Sequence, residues 1–340
     1  MAKSLHGSLA LMKVLVLGCG GMIGNATARA VAQRGENVVY ASRHGPTGER
    51  SCMVGVRVNR DDAASVRDVV SAQKIDVLVD VVAYTPTETQ RLLTEIDGAI
   101  SQYVLLSSAD VYRNYGLLHR TESGRADADP LDEDAPLRTR LYPYRADPPR
   151  ALDAADAWLD HYDKIPIETL ARGLTIPWTV LRLPMVFGPA DRQHRFRWVI
   201  GPMLTETERL DLPSAWLDWT TTYGFVDNVA AAIAAVVGHP TAYRQTFNVT
   251  DTDTVPHRVW LDRFRQRTGW QGRVTETPNA PFPGGDAIAA LDFRAPLSVC
   301  GRKLHDELGF QAPVSLEQAL TETIAYEQRR ETGDRSGVST

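Results

Sequence analysis

The sequence predicts an α/β protein: a doubly wound parallel sheet with a smaller C-terminal substrate lobe. Three observations support this prediction. Apolar, β-branched segments of strand length alternate with segments of helical character through the first half of the chain. The run Ile75–Ala83 is almost continuously apolar, as a strand buried on both faces should be. The first apolar segment ends in closely spaced glycines, which is typical of a strand that turns sharply into a helix.

The glycine-rich turn separates an apolar strand at residues 12–17 from a helical stretch at residues 25–32. Gly18 allows the chain to turn without a Cβ clash, Gly21 lets backbone N–H groups approach a phosphate, and Gly24 lets the helix pack closely against the strand. The free N–H groups and the dipole at a helix start attract anions. The turn therefore predicts a site for the pyrophosphate of a dinucleotide. The residues assigned to it are Gly18, Gly21, Met22, Ile23 and Gly24.

The other main elements follow in chain order. Residues 37–41 form the second predicted strand and close a βαβ unit of the expected length. Further strands are predicted at Val54–Asn59, Ile75–Ala83, Gln102–Ser107, Trp178–Arg182 and Gln245–Val249. Helices are predicted at Ala63–Gln73 and Phe225–Pro240. In a sheet of this kind a ligand binds at the carboxyl ends of the strands.

The domain organisation follows from where this alternation stops. We expect a dinucleotide-binding domain over residues 12–182 with returning segments at 223–250, and a substrate-binding lobe over 183–222 and 251–330. Residues 1–11 and 331–340 are expected to be flexible termini. The stretch Tyr115–Arg150 is acidic and rich in proline and arginine, with little periodicity. Its length predicts a functional flap or surface excursion.

Composition narrows the class of protein. The 340 residues suffice for one large α/β unit or two closely joined domains, and 43% apolar with 23% charged residues is ordinary for a globular chain. A net charge of −5 gives no general signature for nucleic acid, and no apolar run reaches membrane-spanning length. Cys19, Cys52 and Cys300 lack metal-site spacing, which suits a reducing cytoplasm. We therefore predict a cytoplasmic protein that binds a small molecule and neither nucleic acid, membrane nor metal.

Several motifs together resemble the extended short-chain dehydrogenase/reductase family, which includes the NAD-dependent epimerase/dehydratase-like proteins. Besides the glycine turn, the motifs are Ser107–Tyr112, Leu181–Pro189, Phe225–Val229, Phe247–Val249, Glu307–Phe310 and Val314–Glu317. Each is a modest signal, but in this order they are specific, and they cover nearly the whole chain. The resemblance implies a Rossmann-type sheet interleaved with a C-terminal lobe, a nicotinamide cofactor and a homodimer.

The end of the second strand indicates which nicotinamide cofactor is bound. Folds that use NAD place a carboxylate there to bind the ribose 2′-hydroxyl. The segment Ala41–His44 has no acid, and the Arg43 guanidinium suits a 2′-phosphate, although it could instead stack on the adenine. The sequence therefore favours NADP, with NAD possible. By resemblance the further cofactor contacts are Ser42, Arg43, Asn59, Arg60, Val82, Ala83, Tyr84, Lys164 and Pro184.

The catalytic motif of the family is only partly present. The family uses a Ser or Thr together with a Tyr four residues before a Lys, and the lysine holds the nicotinamide ribose and lowers the tyrosine pKa. Ser108 matches the serine and Lys164 the lysine, but Asp160 stands where the tyrosine is expected. Tyr162 lies two residues before the lysine, on another face of a regular helix.

Two interpretations of Tyr162 remain open at this point. A helix that begins near Tyr162, with Pro166 in its first turn, would present Tyr162 and Lys164 in one cleft. Alternatively, Tyr162 has only a packing role and Lys164 only binds the ribose. Asp160 could act as acid or base, but a nearby lysine would lower its pKa and make it a poor proton donor. Tyr142 and Tyr144, in the excursion before it, are further and less suitable candidates.

The substrate class is partly indicated by missing residues. By resemblance, nucleotide-sugar enzymes carry an Asn just after the Leu-Arg strand and an Arg shortly before the Val-Asp pair, whereas this chain has Leu183–Met185 and Thr220–Gly224 there. Aromatic side chains with a few cations would suit a planar metabolite bearing an acidic group, or they form the core and rim of the lobe. The predicted substrate contacts are Asp110, Arg195, Trp198, Trp219 and Tyr223.

Together these features predict an NADP-dependent oxidoreductase or epimerase acting on a small metabolite that is not a nucleotide sugar. Ser108 would bind the substrate oxygen, Tyr162 would relay a proton and Lys164 would orient the ribose. One alternative is a dinucleotide-binding sensor without redox turnover. Another is a non-redox isomerase or dehydratase that uses Ser108, Asp110 or Asp160 as acid or base.

Overall fold

The computed structural model describes residues 11–45, 53–251 and 253–331. Its strands are β1 Lys13–Leu17, β2 Asn37–Ser42, β3 Met53–Arg57, β4 Val77–Asp80, β5 Gln102–Ser108, β6 Trp178–Leu183, β7 Met185–Phe187, β8 Arg209–Leu212, β9 Thr220–Thr221, β10 Tyr223–Phe225, β11 Gln245–Asn248, β12 Val255–Pro256 and β13 Arg273–Glu276. Its helices are α1 Met22–Gln33, α2 Ala63–Gln73, α3 Pro86–Ile96, α4 Arg113–Leu118, α5 Lys164–Arg172, α6 Arg197–Leu204, α7 Ser214–Asp218, α8 Val226–Val236, α9 His257–Thr268, α10 Asp286–Ala289, α11 Arg302–Leu308 and α12 Leu316–Glu331.

Seven of the strands form one parallel sheet in the order β11-β6-β5-β4-β1-β2-β3. The central strands are buried on both faces because α1 and α8 pack on one side and α2, α3 and α5 on the other. The strand order reverses beside β1, and such a reversal opens a crevice at the carboxyl ends of the strands. The predicted α/β fold with a doubly wound parallel sheet is confirmed.

The remaining strands form small sheets in the C-terminal half. β7 pairs with β10, β8 with β13, and β9 with β12. Helix α9 packs against α6 and α7, so that segments far apart in the chain build one lobe beside the sheet. This interleaving is what the family resemblance implied. The residue boundaries of the two domains remain a prediction.

Several element boundaries differ from the predicted ones. Helix α1 begins at Met22, directly after the turn, and β3 ends at Arg57, before Asn59. The returning helix α8 stops at Val236, because Val237 is extended and Gly238 has a positive φ of 65°. The predicted excursion Tyr115–Arg150 starts inside α4, whose apolar side chains are buried. The predictions for residues 1–10, Cys52 and 332–340 fall outside the described residues.

Candidate active site

The glycine turn has the close approaches that its spacing predicted. Gly18 has a φ of 89°, which favours glycine. A Cβ on Gly24 would lie 2.3 Å from the carbonyl oxygen of Gly18, far inside van der Waals contact. The N–H groups of Gly18 and Cys19 donate to the carbonyl of Ala41 at 3.1 and 3.0 Å, which ties the turn to the end of β2. The turn is therefore held directly before the start of α1.

A cavity of about 570 Å³ opens at this turn. Residues of the turn, the ends of β2 and β4 and the loop after β3 line it, together with Trp158 and Arg192. The predicted cofactor contacts that line it are Gly18, Gly21, Ser42, Arg43, Asn59, Arg60, Val82 and Tyr84. Most of the predicted contacts thus share one cavity at the carboxyl edge of the sheet. Met22 and Ile23 lie half-buried at the start of α1, while Ala83 and Pro184 are buried.

The cationic side chains around this cavity differ in whether other side chains already bind them. Arg43 and Arg192 are exposed. Arg60 is buried, and its Nη2 lies 2.7 Å from Asp80 Oδ2 and 2.9 Å from Thr89 Oγ1. Among the described residues nothing accepts a hydrogen bond from Arg60 Nη1. Arg60 therefore mainly neutralises Asp80, whereas Arg43 is available to a ligand anion.

An aromatic stack stands at one end of the cavity. The rings of Tyr84 and Trp158 are 4.9 Å apart between centroids and inclined by 30°. Lys164 Nζ lies 5.4 Å from the Tyr84 ring centroid, and the Tyr162 ring centroid is 6.2 Å from that of Tyr84. The stack thus stands between the cavity and the residues predicted to be catalytic.

Lys164 is the first residue of α5. Asp163 caps this helix by accepting a hydrogen bond from the N–H of Ile165 at 2.9 Å. The Lys164 ammonium donates to the carbonyls of Ala83 at 2.6 Å and Leu106 at 2.9 Å, at the ends of β4 and β5. Burial lowers the pKa of Lys164 to about 8, although Asp110 and Asp80 oppose this shift.

Tyr162 lies beside Lys164 in spite of the two-residue spacing. It follows a 3-10 turn at Ala157–His161 and precedes α5, so that Pro166 falls in the first turn of the helix. Lys164 Nζ is 5.7 Å from the Tyr162 ring centroid. The phenol donates to Asp110 Oδ2 at 2.9 Å. Burial and the charge of Asp110 raise the pKa of Tyr162 well above its usual value, whereas the resemblance implied a lowered one.

Ser108 and Asp110 complete this cluster at the end of β5. The Ser108 hydroxyl accepts a hydrogen bond from the N–H of Asp110 at 3.2 Å and lies close enough to the Tyr162 phenol to oppose the rise in its pKa. Asp110 is buried, and its Oδ2 also accepts from the Tyr144 hydroxyl at 3.3 Å. Asp110, predicted as a substrate contact, is thus bound to two phenols.

Asp160 has a structural role. Its carboxylate accepts hydrogen bonds from the N–H groups of Ala146 at 2.9 Å and Arg150 at 2.7 Å, and it pairs with the Arg150 guanidinium. The hydrogen bond from Ala146 is the main cause that lowers the pKa of Asp160. Because its oxygens are occupied in holding the loop before the 3-10 turn, Asp160 is a poor proton donor. Ala146 and Arg150, rather than the lysine that the sequence analysis invoked, lower its pKa.

Sequence reasoning missed the buried ion pair that supports the cluster. Arg138 Nη2 lies 3.0 Å from Asp163 Oδ1, with both side chains fully buried. Arg138 Nε also donates to the backbone carbonyl of Asp110 at 2.5 Å. An Asp directly before a helix that carries Pro in its first turn is an N-cap signal that could have identified Asp163. Arg138 carries no local signal, because its partners are distant in sequence.

Most of the predicted substrate contacts in the lobe are engaged within the lobe itself. The Trp219 indole donates to the carbonyl of Ala295 at 2.9 Å, and the Tyr223 hydroxyl lies 3.0 Å from His257 Nε2. Arg195 Nη1 lies 2.8 Å from Asp191 Oδ1. These three contacts favour the alternative that the residues form the core and rim of the lobe. Trp198 differs: it is half-buried, and its indole N–H has no acceptor among the described residues.

Two features are absent from the described part of the chain. Within residues 11–45, 53–251 and 253–331, three His, Cys, Asp or Glu side chains never come together as a metal site would require. In the same part of the chain every helix is too short or too polar to cross a membrane.

Comparison with known proteins is consistent with this geometry. A family model described as the NAD dependent epimerase/dehydratase family matches residues 14–250. The "3-diazoavenalumate denitrifying reductase" of a Streptomyces species is 27% identical over 278 residues, covering 76% of this chain and 82% of that protein. The "chloroplast stem-loop binding protein of 41 kDa b" of Arabidopsis thaliana is 22% identical over 252 residues, covering 70% of this chain. The match spans 58% of the length of the Arabidopsis protein.

Solved structures share the fold. The UDP-glucose 4-epimerase of Thermotoga maritima, solved with UDP-glucose, is 17% identical, with a TM-score of 0.67 over 95% of this chain and 100% of that one. The UDP-glucuronic acid 4-epimerase of Bacillus cereus, in complex with UDP-glucuronic acid and NAD, is 18% identical, with a TM-score of 0.65 over 94% and 100%. At these identities the likeness concerns the fold alone.

Proposed function

Because the chain belongs to the NAD dependent epimerase/dehydratase family, we propose that it is an NADP-dependent oxidoreductase or epimerase acting on a small metabolite that is not a nucleotide sugar. The observation that carries this proposal is the convergence of three predicted catalytic residues. Ser108, Tyr162 and Lys164 meet at the carboxyl ends of β4 and β5, beside the cavity of the glycine turn. A protein that only sensed the dinucleotide would have no need of a proton donor there.

The residues around the cavity fit a dinucleotide. The close packing of Gly24 on Gly18 holds the start of α1 beside the turn, where its N–H groups would bind a pyrophosphate. A side chain on Gly24 would overlap the Gly18 backbone and prevent this packing. The exposed Arg43 guanidinium at the end of β2 supports a preference for the 2′-phosphate of NADP. NAD is the alternative cofactor, because the UDP-glucuronic acid 4-epimerase that shares this fold was solved with NAD.

Replacing Arg43 by alanine is expected to weaken NADP⁺ binding at least about tenfold and to change NAD⁺ binding less than about twofold. The reason is that the guanidinium would bind the 2′-phosphate, which only NADP⁺ carries. Isothermal titration calorimetry with both dinucleotides measures this. Arg67→Ala is the matched control, because Arg67 is an exposed arginine on α2 that pairs with Glu95 at 2.9 Å. Equal losses of affinity for both dinucleotides would contradict the assignment to the 2′-phosphate.

When bound, the nicotinamide supplies or accepts a hydride. Lys164, already buried beside the Ala83 carbonyl, would hold the nicotinamide ribose through its ammonium group. Ser108 would donate a hydrogen bond to the substrate oxygen and polarise the carbonyl. Tyr162 would give a proton to that oxygen in reduction and take it back in oxidation. These roles use Ser108 at the end of β5, Lys164 at the start of α5 and Tyr162 just before that helix.

The substrate class rests on what the chain lacks and on one relative. The Asn and Arg that the family uses for a nucleotide diphosphate are absent from this sequence at Leu183–Met185 and Thr220–Gly224. The Streptomyces relative is named as a reductase of 3-diazoavenalumate, a diazo compound with a carboxylate by its name. Trp198, half-buried in the lobe and predicted from the sequence as a substrate contact, is the aromatic side chain that we propose for contact with such a substrate. A planar carboxylic acid is the class we favour.

The decisive experiment is a crystal structure with NADP⁺, read together with transfer of deuterium from [4-²H]NADPH to a panel of aromatic keto, aldehyde and diazo acids. We expect the Tyr162 hydroxyl and the Ser108 hydroxyl to lie within hydrogen-bond reach of one point near nicotinamide C4. Deuterium should appear in a reduced product. A complex in which C4 faces no proton donor, with no deuterium transferred, would favour a sensor. The homodimer and the cytoplasmic location remain predictions.

A further inference from the structure

We propose that Asp110 supplies the proton that Tyr162 delivers to the substrate, so that Asp110 acts through the phenol as its proton source. This inference rests on the proposed reduction and deepens it. Its basis is the position of the Asp110 carboxyl group, which is buried at the end of β5 with Oδ2 2.9 Å from the Tyr162 hydroxyl. That distance suits a hydrogen bond in either direction.

The two oxygens of Asp110 are unequally engaged. Oδ2 accepts from Tyr162 and, at 3.3 Å, from Tyr144. Among the described residues no donor reaches the buried Oδ1. An ionised carboxylate with one buried oxygen that accepts no hydrogen bond has a large desolvation cost. A neutral carboxyl group in the same place has a much smaller one. The geometry therefore favours a proton on Asp110.

The charges that face Asp110 oppose one another. Burial raises the pKa of Asp110, and the nearby Asp163 adds to this rise. Arg138, the Tyr162 hydrogen bond and Lys164 act to lower it. The Tyr115 and Tyr144 phenols, packed on the same side, stay neutral because burial and Asp110 raise the pKa of both. Burial outweighs the opposing charges, so the pKa of Asp110 is raised. This direction agrees with the lack of a hydrogen-bond donor to Oδ1.

Tyr162 needs such a proton source. In the usual arrangement the phenol can remain ionised after it gives up its proton, because a lysine lowers its pKa. Here burial and Asp110 raise the pKa of Tyr162, so a lone phenolate would be a costly product. A proton that arrives from Asp110 as the phenolic proton leaves removes this cost. Tyr162 is then a relay that remains neutral throughout.

The carbonyl carbon gains a hydride, two electrons and one hydrogen, from reduced nicotinamide, and the carbonyl oxygen forms an O–H bond with the proton of Tyr162. The phenolic oxygen takes the proton of the Asp110 carboxyl group, whose O–H bond breaks. Asp110 is left as a carboxylate and recovers its proton from solvent. In oxidation every proton moves in the opposite direction.

The first test needs no substrate. Protein labelled with ¹³C at the Asp carboxyl carbon is titrated by NMR with NADP⁺ bound, and Asp110→Asn assigns the resonance. We expect Asp110 to titrate above the ordinary range for Asp. Tyr162→Phe should raise its pKa further, since it removes the nearer donor to Oδ2, and Tyr144→Phe should raise it less. If Asp110→Asn does not fold, the shift in Tyr162→Phe identifies the resonance. An ordinary or lowered pKa for Asp110 overturns the relay.

The second test is the pH profile of reduction, with whichever member of the acid panel is reduced. The rate should fall as the pH rises through the pKa of Asp110, because only the protonated group can supply Tyr162. Asp110→Asn keeps the shape of the side chain but has no proton to give. Its turnover should drop at least about 100-fold, with the alkaline fall removed. An unchanged pH profile in Asp110→Asn overturns the relay.

The failure of the relay and the failure of the proposed function can be distinguished. If no panel member is reduced, the proposed reduction fails, while the NMR titration still decides whether Asp110 holds a proton beside Tyr162. If reduction occurs and Asp110 titrates normally, the function stands and the relay does not.

Discussion

Replacing Gly24 by alanine is expected to remove dinucleotide binding, with an affinity loss of at least about 100-fold. The added Cβ would lie 2.3 Å from the Gly18 carbonyl oxygen and 2.7 Å from its carbonyl carbon. Both are backbone atoms, so the contact can be relieved only if the turn and the start of α1 move apart. Alanine should gain about 1 kcal/mol in helix propensity, but the overlap outweighs this gain. Calorimetry with NADP⁺ measures the affinity.

The matched control is Gly201→Ala. Gly201 is also a helical glycine, in α6, and the nearest atom to its added Cβ is a side-chain carbon of Arg197 at 3.7 Å, an ordinary contact. This variant should bind NADP⁺ as the original protein does and unfold at the same temperature or slightly higher. If Gly24→Ala bound NADP⁺ with comparable affinity, the glycine turn could not be the pyrophosphate site.

Replacing Arg182 by methionine is expected to lower the free energy of unfolding by about 3 to 5 kcal/mol. Arg182 and Glu168 form a bidentate ion pair at 3.0 and 2.9 Å, and their side chains are 2% and 0% exposed. Burial acts to raise the pKa of Glu168, but Arg182, the Ser107 hydrogen bond and Arg172 together hold the pKa below its usual value, with Arg182 contributing most. Without Arg182 the carboxylate is buried without its main partner. Urea denaturation measures the loss.

Arg172→Met provides the comparison. Arg172 contacts Oε2 of Glu168 at 2.8 Å, which is one of the two oxygens that Arg182 binds. Its side chain, however, is 36% exposed. Its removal should cost no more than about 1 kcal/mol, since water can screen and replace that contact. The loss of unfolding free energy in Arg182→Met should also become smaller as the pH falls, because protonation neutralises the unpaired Glu168. Similar losses in both variants would show that burial of the pair is not what stabilises it.

Much of the fold could be predicted because its signals are local. The apolar segments and the glycine turn lie within short stretches, and helix α2 has the predicted limits Ala63–Gln73. The family resemblance, built on motifs spread along the chain, is confirmed by the family match over residues 14–250. The limits of α8 were harder to predict, because they depend on the backbone of Val237 and Gly238 rather than on hydrophobic periodicity.

The candidate site could be predicted only where motifs fix it. Ser108 and Lys164 follow from local patterns, but the two-residue spacing left the position of Tyr162 open. That position depends on where α5 begins, which Asp163 sets as the cap, and on the distant partners Arg138 and Asp110. Such contacts join segments far apart in sequence, and no periodicity records them.

In the lobe, composition could not separate core from binding surface. Trp219 and Tyr223 have the residue types of a ligand site, yet their polar atoms are engaged by Ala295 and His257. An aromatic residue serves either purpose, and only its packing decides between them.

The stack of Tyr84 on Trp158 joins parts of the chain that are otherwise far apart. Tyr84 follows β4, whereas Trp158 belongs to the long irregular segment between α4 and α5, and both line the dinucleotide cavity. A molecule that binds against this segment and displaces Trp158 changes a wall of that cavity. By thermodynamic linkage, the dinucleotide must then change the affinity for that molecule by the same factor. Any binding event at the irregular segment that moved Trp158 would thus be energetically coupled to binding in the cavity through the aromatic stack.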